Sequence, residues 1–301
     1  MRLVIIGNGM AATRLIASLT GRAADRFAIT VIGDEPEHAY NRIQLSPVLG
    51  GEKTAVGVSL QNDDWYQERG VTVLRGEKAL AVNVDAREVQ TTARTLGWDA
   101  LVFATGSTPF VPPIRGCDAP HVFTFRTLAD TRAIQAIAGP AVVLGGGVLG
   151  VEAAAALARS GDEVTLVHRG PWLMEQQLDR QAGMLLEEAL AARGVRCELV
   201  SGIAAVNGDS VTLLNGRSIA AARVVLATGV QPASRWRRPA AFAARAASWW
   251  IARCKPPSRT STPLASAAKL TARRLAWSPP VWRRRISLPP GWPETSPRRL
   301  P

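Results

Sequence analysis

The sequence predicts an α/β fold in which one unit is built twice. Three observations carry this expectation. A short apolar strand runs into a glycine-rich turn and an alanine-rich helical stretch at LVIIGNGMAA, residues 3–12. The same order recurs at AVVLGGGVLGVEAA, residues 141–154. A second kind of strand end, Ala-Thr-Gly after an apolar run, closes LVFATGS at 101–107 and RVVLATGV at 223–230. Such repetition points to a duplicated architecture.

The first turn places Gly7, Gly9 and Ala12 in a G-x-G-x-x-A pattern. The second places Gly145, Gly147 and Gly150 in G-x-G-x-x-G, 138 positions later. The first glycine of such a turn permits a tight reversal, the second lets a pyrophosphate approach the backbone, and the third position lets helix pack on strand. The residues that open the helices, Met10, Ala11 and Ala12 in one copy and Val148 and Leu149 in the other, offer unpaired N–H groups and partial positive charge to a phosphate. The expected fold is therefore two Rossmann-like dinucleotide-binding units of α/β class. Two copies predict two dinucleotides on one chain.

The elements follow in order. A strand at 3–6 leads to a helix near 10–20, then to the strand FAITVIG at 27–33. That strand ends at Asp34-Glu35, about 25 positions after Gly9, where a carboxylate can accept from a ribose hydroxyl; Glu35 is the favoured one. Residues 36–70 read as loop and helix, VTVL at 71–74 as a strand, and the stretch to about 95 as a β-meander. Thr105 and Gly106, after the strand at 101–104, form a tight turn able to meet a cofactor. Residues 113–138 read as a connection. The second unit then repeats the pattern, with a strand at 141–145, a helix at 149–159 and the strand VTLVH at 164–168. A long amphipathic helix near 178–193, a strand at 195–200, polar strands over 203–219 and the strand ending at Thr228 and Gly229 complete it.

The charge is unevenly placed. The net charge of +12 resolves into +14 on residues 233–301 and −2 on the rest. That tail holds 11 of the 20 prolines, 6 of the 9 tryptophans, one of the 26 glycines and no aspartate. Its Pro-Pro pairs and the Arg283-Arg284-Arg285 run argue against regular sheet and interrupt helices. One reading is a basic aromatic arm for nucleic acid or another acidic surface. A translation-frame reading explains more. Back-translated and shifted by one frame with free choice of third bases, residues 247–253, 258–267 and 276–285 can spell IVVDR, PDVYAIGEC and LVAPGLEQA. A third reading is a non-functional gene product.

Cys117, Cys197 and Cys254 are widely spaced, as are His38, His121 and His168, so neither a disulfide framework nor a metal site is expected. No run of about 18 apolar residues predicts a membrane span. The N-terminal apolar stretch leads directly into Gly7 without a cleavage pattern, and a cytoplasmic location is expected.

The segments IIGNGMAA at 5–12, AYNRIQLSPVLGGEKT at 39–54, FATGSTPFVPP at 103–113, GGGVLGVEAA at 145–154 and LMEQQLD at 173–179 together resemble the pyridine nucleotide-disulfide oxidoreductase superfamily. Within it, the Tyr-Asn-Arg and Leu-Met…Gln-Leu-Asp segments resemble the flavin module of NAD(P)H nitrite reductase large subunits. Pro47 stands after Leu45-Ser46, where ferredoxin-reductase-like relatives often carry lysine. The resemblance covers residues 1 to about 233. It implies an FAD-binding domain over 1–112, an NAD(P)-binding domain over 113–233 and a separate tail over 234–301.

It further implies FAD on the first turn, NAD(P)H on the second, and an electron acceptor that is an iron–sulfur/sirohaem module or a separate redox protein. The resemblance places Arg42 at the flavin pyrophosphate and Glu152 near the nicotinamide; the plain alternatives are a surface cation and an exposed helix acid. His168 and Arg169, at a position often acidic in NADH enzymes, could meet a 2′-phosphate or simply face solvent. NADH and NADPH both stay open. In this family the FAD domain is discontinuous and closes with C-terminal residues, so an out-of-frame tail implies weak or absent FAD binding.

Overall fold

The structure, a computed structural model, describes residues 1–233 and 251–253. The chain divides into two compact units. The first comprises Met1–Tyr40 and Ser59–Ser107 together with the described residues from Pro232 onward. The second comprises Asn41–Val58 and Thr108–Gln231.

The first unit is a three-layer assembly. β1 (Arg2–Ile6), β2 (Ala28–Gly33), β3 (Val71–Arg75) and β7 (Ala100–Phe103) form a parallel sheet in the order β7-β1-β2-β3. In β1, Leu3 and Ile5 point to one face and Val4 and Ile6 to the other, as strand alternation dictates. Leu3 and Ile5 pack with Ala12, Leu15, Ile16 and Leu19 of helix α1 (Met10–Ala23). Val4 and Ile6 pack with Val82, Val89 and Trp98 beneath an antiparallel meander of β4 (Ala79–Asn83), β5 (Glu88–Thr91) and β6 (Thr95–Gly97). Because both faces are covered, every residue of β1 after Arg2 is buried, which is why the strand reads as an unbroken apolar run. A one-turn helix, α3 (Asp63–Gln67), is capped by Asn62, whose side chain accepts the Trp65 N–H at 3.0 Å.

The second unit repeats the plan. Helix α2 (Leu45–Leu49) comes from the early excursion 41–58, and strand β8 (Ser107–Pro109) lies where the chain crosses back. β9 (Val122–Thr124), β10 (Ala141–Leu144), β11 (Val164–Val167), β12 (Val195–Glu198) and β16 (Arg223–Leu226) form a parallel sheet in the order β12-β11-β10-β16-β9. Helix α5 (Val148–Arg159) packs on β10 and β11, and α6 (Arg180–Ala191) on β12. A second meander, β13 (Ile203–Val206), β14 (Ser210–Leu213) and β15 (Ser218–Ala220), sets Ile203, Val211 and Ile219 against Val142, Leu144 and Val224 of the sheet. β17 (Val230–Pro232) pairs with β8 as a two-stranded ribbon.

The structure bears out the α/β class and the duplication, and differs from the sequence reading in three places. Residues 41–58 pack with the second unit instead of continuing the first. Gln135 donates to the carbonyls of Val48 and Leu49 at 2.9 and 3.2 Å, and Arg159 pairs with Glu52. The connection at 113–138 contains β9 and a helix, α4 (Leu128–Gln135), opened by a capping box in which Thr127 and Asp130 each accept the other's backbone N–H. Finally, β18 (Ile251–Arg253), three proline-free residues of the tail, pairs antiparallel with β7. Cys254 and the rest of 234–301 lie outside the described residues, as does the frame reading of the tail.

Candidate dinucleotide sites

The first glycine turn is closed by a strand almost a hundred residues later. Gly7 has φ +107°, and its N–H donates to the Ile32 carbonyl at 2.8 Å. A Cβ at Gly7 would strike the carbonyl oxygen of Ala104, whose own N–H donates to Ile6 O at 2.7 Å. Only glycine fits that conformation and that approach. Gly9 has nothing within 4 Å of where its Cβ would stand, so its outer face is open. Ala12 is buried against the sheet, Met10 is half-buried and Ala11 exposed.

Asn8, between the two glycines, carries a buried Nδ2 with no hydrogen-bond partner. A buried amide donor left unpaired is costly, and an acceptor on a ligand would satisfy it. Tyr66 donates its hydroxyl to Asn8 Oδ1 at 3.4 Å, and burial pushes the Tyr66 phenol above its usual range. Gly33 would bring a Cβ within 2.8 Å of Asn8 Cβ, so its smallness keeps the side chain in place. Glu35 is half-buried and accepts from the Tyr40 hydroxyl at 2.6 Å, while Asp34 is exposed. Thr105 is half-buried, and Gly106 (φ +65°) accepts from Ala233 N–H at 3.1 Å.

The second turn reproduces this geometry. Gly145 has φ +118°, its N–H donates to Val167 O at 2.9 Å, and its Cβ would strike the Ala227 carbonyl oxygen. Ala227 N–H donates to Leu144 O at 2.9 Å. Gly147 is the N-cap of α5 and has open space around its Cβ position. A Cβ on Gly150 would strike the Gly145 carbonyl oxygen and approach Ala227 Cβ to 3.2 Å. Each glycine thus answers to one of the three roles the motif assigns. α5 has no side-chain cap and no acid in its first turn, which leaves the Val148, Leu149 and Gly150 donors to an anion. Val148 is exposed and Leu149 half-buried. Thr228 donates to Phe110 O at 2.6 Å, and Gly229 has φ +103°. Arg169 is exposed at the end of β11.

Three expected residues have partners that the sequence did not name. Arg42 is placed in the second unit, where its guanidinium donates to the Arg126 carbonyl at 2.8 Å. Glu152 is exposed on α5 and accepts from Ser46 Oγ at 2.9 Å, a partner that the sequence could not supply. His168 does not face solvent. Its ring is buried beneath the second turn, held by Gly146 and Glu175. The sequence reading missed Asn8, Tyr66, Gly146 and Glu175.

The residues present fit two dinucleotides. Each cradle has an open second glycine where a pyrophosphate can approach; the first adds the orphaned Asn8 amide and the second an uncapped helix start. The profile of the pyridine nucleotide-disulphide oxidoreductase family matches residues 1–251. The chain belongs to that family. It is a family of flavin-dependent NAD(P)H oxidoreductases, using FAD and NAD(P)H.

Over 239 residues the chain is 38% identical to the assimilatory nitrate reductase electron transfer subunit of Bacillus subtilis (strain 168), covering 77% of this chain and 31% of that protein. It is 39% identical over 239 residues to a nitrite reductase [NAD(P)H] of the same organism, covering 77% and 30%. The fold superposes on the covalent putidaredoxin reductase–putidaredoxin complex with a TM-score of 0.70 at 26% identity, covering 77% of this chain and 59% of that one. The chain thus spans under a third of the length of these two curated relatives. Among the described residues no group of His, Cys, Asp and Glu could hold a metal ion, and no helix is long and apolar enough to cross a membrane.

Proposed function

We propose that this chain is an NAD(P)H-oxidising flavoprotein module of the nitrite reductase large-subunit type, with FAD on the Gly7–Ala12 turn and NAD(P)H on the Gly145–Gly150 turn. The supporting observation is the pair of cradles, each closed by a carbonyl at Ala104 or Ala227 and each open at its second glycine. When bound, the two cofactors supply hydride transfer from reduced nicotinamide to flavin. The chain's own residues bind and orient them. The Asn8 amide donates to the first dinucleotide, Glu35 accepts from its ribose, and the α5 N-terminus holds the pyrophosphate of the second. The resemblance assigns Arg42 to the flavin pyrophosphate and Glu152 to the nicotinamide, with Ser46 fixing the Glu152 carboxylate.

Cys117 lies in the turn before β9 and Cys197 in β12, and burial pushes both thiols above their usual range, which suits an acceptor other than a protein disulfide. The acceptor is an iron–sulfur/sirohaem module or a separate redox protein. The tail from residue 234, read as out of frame, leaves the flavin site impaired.

The deciding experiment compares the chain as written with a version whose frame is restored near codons 233–236. The restored chain should purify yellow, with stoichiometric flavin, and drive NAD(P)H-dependent dye reduction; the chain as written should carry little flavin. Stoichiometric flavin on the chain as written would overturn the impairment. Failure of both to bind NAD(P)H would overturn the module itself. Salt-sensitive DNA binding that disappears on removing 234–301 would instead favour the basic-arm reading.

A further inference from the structure

The second turn is held by more than its own glycines. Gly146, between Gly145 and Gly147, donates its N–H to His168 Nδ1 at 3.0 Å, and its carbonyl accepts from Met174 N–H at 2.8 Å. Both polar backbone groups of Gly146 are thus tied to the segment 168–174. The other ring nitrogen, His168 Nε2, lies 2.8 Å from Glu175 Oε2. The His168 side chain is 8% exposed.

Two further glycines make room for this ring. A Cβ on Gly146 would come within 2.6 Å of His168 Cγ, and one on Gly170 within 2.5 Å of His168 Nε2. Neither glycine has a positive φ, so neither is required by backbone conformation. Both are small because the imidazole lies between them. Met174, which reaches back to Gly146, holds a φ of +54°, the left-handed region that a side chain enters only when its surroundings over-determine it.

The geometry fixes the tautomer. A backbone N–H can only donate, so Nδ1 must present its lone pair to Gly146, and the single ring proton sits on Nε2, donated to Glu175. A second proton would have to sit on Nδ1, opposite another donor. The ionisable groups around the ring are few. Glu175 faces Nε2, and Arg169 follows in sequence but is exposed. On β12, Glu198 receives the His168 N–H on its carbonyl while its carboxylate pairs with Arg217. β10 and the turn itself contribute no ionisable side chain.

We propose that His168 is a positioning residue for nucleotide binding. The ring accepts from the Gly146 N–H and so holds the Gly145–Gly150 turn in the shape that binds NAD(P)H. The inference rests on NAD(P)H occupying this turn.

The test uses the full chain and two readouts. NADH and NADPH dissociation constants are measured for the unmodified chain, His168→Ala and His168→Asn. His168→Ala, which leaves the Gly146 N–H without its acceptor, should bind roughly tenfold more weakly, and His168→Asn, which keeps an acceptor near the Nδ1 position, should recover part of that loss. Equal affinity in the unmodified chain and His168→Ala would overturn the proposal. The second readout needs no nucleotide and no variant. In ¹⁵N NMR of the unmodified chain, the ring nitrogens of His168 should show Nε2 protonated and Nδ1 bare, with a hydrogen-bond coupling from the Gly146 amide to Nδ1. A ring protonated on Nδ1 would overturn the role of His168. Absence of nucleotide binding with the NMR signature intact would instead sink the assignment of NAD(P)H to this turn and leave the role of His168 standing.

Discussion

Replacing Gly147 by alanine separates a ligand cradle from a merely structural turn. Gly147 has an extended backbone (φ −79°, ψ −178°) and nothing within 4 Å of its Cβ position, so alanine introduces neither clash nor strain in the protein. Its direct cost is that of a poorer N-cap, about 0.5 to 1 kcal/mol. A methyl group standing where a pyrophosphate approaches has a larger effect. It pushes the phosphate off the first-turn donors, and losing one charge-assisted hydrogen bond costs roughly 1.5 to 3 kcal/mol. At about 1.4 kcal/mol per factor of ten, NAD(P)H affinity should fall roughly 10- to 150-fold. Titration of the variant with NADH and NADPH, beside its urea denaturation curve, gives both numbers. Unchanged affinity at unchanged stability would refute the reasoning, because an open glycine that tolerates a methyl group is not a phosphate contact.

The remaining predictions concern the protein body. Gly150→Ala should behave oppositely to Gly147→Ala. Contact with the Gly145 carbonyl oxygen costs about 1 to 3 kcal/mol, against a helix-propensity gain of up to about 1 kcal/mol, so the denaturation midpoint should fall. Arg223 is buried and pairs with Asp162, so Arg223→Ala should destabilise the second unit by about 3 to 5 kcal/mol in a urea melt, by stranding the carboxylate. Leu166→Ala, at a fully buried position of β11, should cost about 2 to 5 kcal/mol by the same measurement.

Burial pushes the Cys197 thiol up to about 11. The folded state therefore holds this proton more tightly than the unfolded chain, whose thiol lies near about 8.5. The resulting stability is fully present below that value and is lost as pH rises toward 11. Denaturation midpoints at rising alkaline pH should fall less in Cys197→Ser than in the unmodified chain.

Both glycine turns were legible in the sequence because their constraint is local: each needs an apolar strand before it and a helix after it, within a dozen residues. The partners that close them were only half legible. The Ala-Thr-Gly strand ends stood out by repetition, yet nothing in the sequence tied Gly7 to Ala104 or Gly145 to Ala227. Helix α4 was missed although its capping box, Thr127 to Asp130, is written in the sequence, because eight residues give too little periodicity to outweigh a connecting stretch. The excursion at 41–58 joins the second unit through contacts such as Ser46 with Glu152, more than a hundred positions apart, which no local pattern reports. The burial of His168 was not legible because a basic residue at a strand end suggests an exposed one. The missed signal was steric: Gly146 and Gly170 are glycines that no turn requires.

The division of the chain has a consequence for the order in which it is made. The path passes between the units at residues 40/41, 58/59, 107/108 and 231/232. Tyr40 bridges Ser59 at one pair of crossings, and β8 lies beside β17 at the other. No single cut therefore yields either unit. A fragment beginning at residue 108 lacks α2 and the partners of Gln135 and Glu152, and one ending at residue 107 lacks β18. During synthesis the second unit can complete its described structure at Gln231, while the first, although begun earlier, must wait for β18 at Ile251–Arg253. Any change at β18 therefore falls on the unit whose glycine turn is translated first.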